Sequence, residues 1–192
     1  MKTTQSAPRP KFWKTALLYG AVHFLVMTYG AFIIEQGDCQ WVVPAYLMAL
    51  PVMLSILALR RIGAGVVVFL PYAIIGFFMV YYMDYITLHT MLSVGGAVAW
   101  CMGGLFTGLA ADLAFRFLPR RVPEKWRAIL TGAIVGLGNY LTPLVAMRFF
   151  YIPHPPESHY YLFTSGIVYS LSWLIVNSGF AGFTAYAIHE RV

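Results

Sequence analysis

Residues 95–127, GGAVAWCMGGLFTGLAADLAFRFLPRRVPEKWR, decide how the rest of the chain is read. The first half is a long apolar run ridged with small residues. The second half is a dense basic turn, with Arg116, Arg120, Arg121, Lys125 and Arg127 close together. In lipid no hydrophobic force drives helices together, and small residues let their backbones approach closely. A basic cluster beside an apolar run belongs on the cytoplasmic side of a membrane. The stretch therefore predicts the solvent, the orientation and the centre of packing.

The whole chain has the same character. Of its 192 residues, 60% are hydrophobic, 17% aromatic and 10% charged, whereas a soluble domain usually carries about 25% charged residues. This composition predicts an all-α, polytopic membrane protein. The length suits one compact helical domain and leaves no room for a soluble catalytic module. The net charge of +6 sits between apolar runs. That is a membrane-topology pattern and not a nucleic-acid footprint.

Hydropathy predicts six transmembrane helices over residues 13–34, 42–59, 62–82, 88–118, 128–150 and 161–188. A basic tail, 1–12, precedes this domain (13–188), and a short tail, 189–192, follows it. The first apolar run has the length of a span, with no small-residue cleavage site after it, so it is expected to be retained. With both termini inside, twelve of the thirteen Lys and Arg residues fall on the cytoplasmic side. The exception, Arg148, lies near the outer end of the fifth helix, where it can snorkel. Glu35, Asp38, Asp84 and Glu157 fall outside. The two halves differ in loops and proline positions, which speaks against an inverted-repeat transporter.

Chemistry has few places to reside. Asn139 is predicted just past the middle of the fifth helix, and Pro143 cannot donate to its carbonyl. A side-chain amide and a freed carbonyl are then available together, either for a ligand or for an interhelical hydrogen bond beside a proline kink. Trp100, Tyr140, Tyr169 and Trp173 could line a cavity near it, and aromatic walls beside amides suit a planar heterocycle. The same rings could equally be core. Asp112 stands four residues before Arg116, an acid-first helical pair. Ala16 and Gly20 form a small-xxx-small pair on the first helix, suited to internal packing or to docking a partner.

Other signatures are missing. Cys39 and Cys101 are expected at different depths and outside any CxxC pair, which predicts neither disulfide nor zinc. His154 and His159 flank Glu157, and His89 could approach, but their spacing does not specify a metal site. His23 alone is placed mid-helix, which disfavours a bis-histidine haem. No nucleophile triad, phosphate loop or HExxH motif is present. Neither a cofactor nor catalysis is expected.

Six helices in about 190 residues, with ALRRIGAGVVVFLPYAIIGFF (58–78) and GLFTGLAADLAFRF (104–117), resemble the substrate-binding S component of energy-coupling factor transporters. The likeness is nearest to the thiamine-precursor (hydroxymethylpyrimidine) branch. The resemblance implies a multi-pass subunit of a prokaryotic inner or plasma membrane that binds a vitamin-like molecule on the outer side. It also implies a transmembrane coupling protein and two cytoplasmic ATPases as partners. The family's helix-one motif, which meets the coupling protein, maps onto Ala16 and Gly20, with Gly where Ala is typical. The competing class is a small scaffold or cofactor-binding subunit of a membrane redox or assembly complex.

Overall fold

The computed structural model describes residues 11–36, 42–80, 94–150 and 167–191. They are helical nearly throughout: α1 (Phe12–Gln36), α2 (Val42–Leu59), α3 (Ala64–Pro71), α4 (Phe77–Val80), α5 (Val94–Phe117), α6 (Glu124–Phe150) and α7 (Ile167–His189). A π turn, Tyr72–Gly76, joins α3 to α4, so these two short helices form one broken rod and the described residues form six rods. The break has a local cause. Pro71 closes α3 without an N–H to give to the preceding turn, and the π turn that follows marks a break in the helical ladder.

The rods close into a ring. Neighbours in order are α1, α2, α7, α6, α5 and α3, which returns to α1. Helix α2 also touches α3, α5 and α6, so it leans inward from the ring. Its Ala49, Val52 and Met53 are wholly buried and Ile56 and Leu57 nearly so. The ring is tight where glycines meet backbone. A Cβ at Gly65 of α3 would lie 2.7 Å from the Gly108 carbonyl oxygen of α5, and one at Gly182 of α7 would lie 2.1 Å from that of Ala128 in α6. Two serines bridge rods from buried positions: Ser55 Oγ donates to Ala64 O at 3.1 Å, and Ser178 Oγ to Ala45 O at 3.2 Å.

Helix α6 starts earlier than the predicted 128. The amides of Trp126 and Arg127 donate to Pro123 O at 2.9 and 3.1 Å, so Glu124 to Arg127 form its first turn. An acid in that turn matches the positive end of the helix dipole.

One expectation is corrected. Among the described residues no helix is long and apolar enough to cross a membrane. That overturns the reading of six transmembrane helices and, with it, the multi-pass location in a prokaryotic inner or plasma membrane. Breaks and charges interrupt three of the rods. The third rod is broken after Pro71, α5 holds Asp112 and Arg116, and α6 opens with Glu124, Lys125 and Arg127. The exterior is nonetheless apolar in places: Leu18, Phe106, Phe117 and Val176 are all more than 60% exposed. Apolar surface of that kind marks contact with another apolar body, protein or lipid.

Candidate binding sites

The five residues predicted to hold a ligand fall on three helices that adjoin in the ring. Trp100 is on α5, Asn139 and Tyr140 are on α6, and Tyr169 and Trp173 are on α7. The side chains of Trp100, Tyr140, Tyr169 and Trp173 lie outside the described residues. Asn139 is described and half-buried, and its Nδ2 is buried with no hydrogen-bond partner among the described residues. A buried amide of this kind ordinarily finds a partner. One residue earlier the α5–α6 seam is tight, and a Cβ at Gly138 would run into Thr107 Oγ1. That hydroxyl is already committed, donating to Gly103 O at 2.9 Å.

Ala16 and Gly20 lie inside the bundle. Ala16 has no exposed surface, and a Cβ at Gly20 would stand 3.0 Å from Pro71 Cγ and 3.2 Å from Val68 O. Gly20 seats α3 against α1 in the folded chain.

Asp112 is buried, and no ion pair joins it to Arg116 among the described residues. Its carboxylate caps α3 from the neighbouring rod. It accepts from Gly63 N at 2.9 Å, from Gly65 N at 3.0 and 3.1 Å, and from Val66 N at 3.4 Å. Helix α3 needs the help because its own cap residue is Gly63, with φ +96° and no side chain to offer. Burial pushes the Asp112 carboxyl above its ordinary range, and the three amide donors pull the other way.

His23 is a second polar group in the interior, with no exposed surface. Its Nδ1 donates to Met48 O at 3.1 Å, which fixes the neutral tautomer, and its ring meets Phe69 edge-on at 4.6 Å. Burial lowers its pKa to about 4, against a small upward pull from the Met48 carbonyl. Among the described residues no cluster of His, Cys, Asp and Glu could hold a metal ion. His89, His154, Glu157, His159 and Cys39 lie outside the described residues, as does the side chain of Cys101.

Beside the Asp112 cap the ends of α2, α5 and α6 enclose a cavity of about 400 Å³. Arg60, Arg61, Arg116, Arg120 and Arg127 line it with Asp112 and Glu124. Arg60 Nη2 donates to Glu124 Oε1 at 2.8 Å and to His189 Nε2 at 3.2 Å, tying the ends of α2, α6 and α7 together. Arg127 donates to the Phe115 carbonyl in the last turn of α5 and lies over the Phe115 ring at 4.6 Å. The sequence carried a signal for this cavity: Arg60-Arg61 and the 116–127 cluster are predicted at the same end of the bundle.

Compared with protein-family models, with characterised proteins and with solved structures, the chain matches none.

Proposed function

We propose that the chain is the substrate-binding subunit of an energy-coupling-factor-type importer for a vitamin-like nitrogen heterocycle. In this reading it catalyses nothing itself. Separate ATPases hydrolyse ATP, and a coupling protein lies against its exposed apolar faces. The observation that carries the proposal is the buried Asn139 amide, left without a partner among the described residues beside the tight Thr107–Gly138 seam. A heterocycle that accepts one hydrogen bond would satisfy it. The two stretches that resemble the transporter family add support, because they pack on each other through Gly65 and Gly108 and through the Asp112 cap.

The test is mass spectrometry of small molecules released from the gently purified full chain. A bound nitrogen heterocycle at near-stoichiometric amount is expected. Release of a quinone or haem would favour the scaffold or redox-subunit reading and overturn this one, as would release of no small molecule at all.

A further inference from the structure

We propose that the arginine-lined cavity binds a phosphate or diphosphate group, at a site separate from the Asn139 seam. Two carboxylates face five arginines there, and both are already committed. Asp112 is held by three backbone amides, and Glu124 by Arg60. Arg60 further donates to His189. Arg127 answers a C-terminal carbonyl of α5, and its Nε is buried with no partner. Arg61, Arg116 and Arg120 form no ion pair among the described residues. Three guanidinium groups and one further N–H are therefore gathered around a shared concavity with no anion paired to them among the described residues.

That arrangement selects its ligand. Ile56 and Phe115 give the cavity buried apolar walls, and five arginines against two carboxylates leave its field net positive, which raises the local concentration of anions. Helix α6 opens here with its first residue, Glu124, so the positive end of a 27-residue helix adds to the field. Guanidinium groups present planar forks that match phosphate oxygens two at a time. A volume of about 400 Å³ lies within the range of small-molecule pockets. It accommodates a phosphorylated small molecule or the headgroup of an anionic phospholipid, and the chemistry recognised is the same in both.

Calorimetry and thermal shift on the purified full chain, with inorganic pyrophosphate as probe, test the site. Saturable binding is expected. It should weaken roughly tenfold or more in the double variant Arg61→Gln, Arg116→Gln, which loses two charge-assisted contacts. Arg191→Gln, outside the cavity lining, should leave it unchanged. Flotation with vesicles of phosphatidylcholine, with and without phosphatidic acid, separates the sources. Binding to phosphatidic acid vesicles alone, lost in the same double variant, assigns the site to a lipid headgroup; pyrophosphate binding assigns it to a free phosphate compound. If the double variant loses helicity, Arg120→Gln alone should still weaken binding measurably. Absence of saturable binding to either probe, or equal binding by the arginine variants and Arg191→Gln, overturns the proposal.

Discussion

Asp112 on α5 caps Gly65 at the start of α3, accepting its backbone N–H through both carboxylate oxygens at 3.0 and 3.1 Å. The two residues are 47 positions apart, and they sit at the seam where Gly65 and Gly108 bring the two backbones together. One side chain thus terminates one helix and fastens it to another.

Replacing Asp112 with Ala removes the acceptor and leaves the amides of Gly63 and Gly65 unpaired beside a buried seam. We expect a loss of roughly 1–3 kcal/mol, read as a lowered denaturation midpoint. Asp112→Asn keeps one acceptor oxygen and should lose less. Equal stability of the Ala variant and the parent would show that the cap contributes nothing.

The glycine contacts divide into those a methyl group can enter and those it cannot. A Cβ at Gly132 would lie 2.2 Å from Ser178 O, which is backbone and cannot move alone, whereas at Gly179 the nearest atom is 3.5 Å away. Gly132→Ala should therefore destabilise by roughly 1–3 kcal/mol. Gly179→Ala should be neutral or gain up to about 1 kcal/mol from helix propensity. Chemical denaturation of the pair checks the ordering, and a reversed ordering would contradict the packing of α6 on α7.

His23 sets a pH dependence. Its folded pKa is about 4, against an ordinary value near 6.5, so in that window the unfolded chain binds the proton and the folded chain does not. Stability from this group is complete above about pH 6.5 and falls as pH drops toward 4, by about 3 kcal/mol in total. Thermal melts from pH 7 to 4.5 should show this slope, and it should flatten in His23→Leu.

The ligand reading turns on Asn139. Changing it to Leu removes the amide while keeping a helix-forming apolar residue. Affinity for the co-purifying heterocycle should fall roughly 5- to 150-fold, the equivalent of 1–3 kcal/mol. Unchanged affinity by calorimetry would return Asn139 to a packing role.

Much of the fold is local enough to be read from sequence. The second helix is predicted at 42–59 and found as Val42–Leu59, and the first is predicted at 13–34 and found as Phe12–Gln36. The small-residue ridge at Gly104 and Gly108 was legible, but its partners, Phe69 and Gly65, were not, because spacing fixes a face and not what meets it. Asp112 illustrates the same limit. Its i+4 neighbour Arg116 is the natural local partner, yet amides 46 to 49 residues away took its place. The charges after Pro123 hid the first turn of α6, since polarity there reads as loop. The cavity was missed because its arginines fitted a topology rule on their own.

Helix α2 leans into the ring between α1 and α7, and the hydrogen bond from Ser178 to Ala45 spans 133 residues. At ribosomal rates of about 5–20 residues per second, Ser178 is made roughly 7–27 s after Ala45. For that interval one side of a nearly all-apolar helix has no α7 to cover it. That surface of α2 stays uncovered until α7 is made, and a chain truncated before α7 would keep it open permanently.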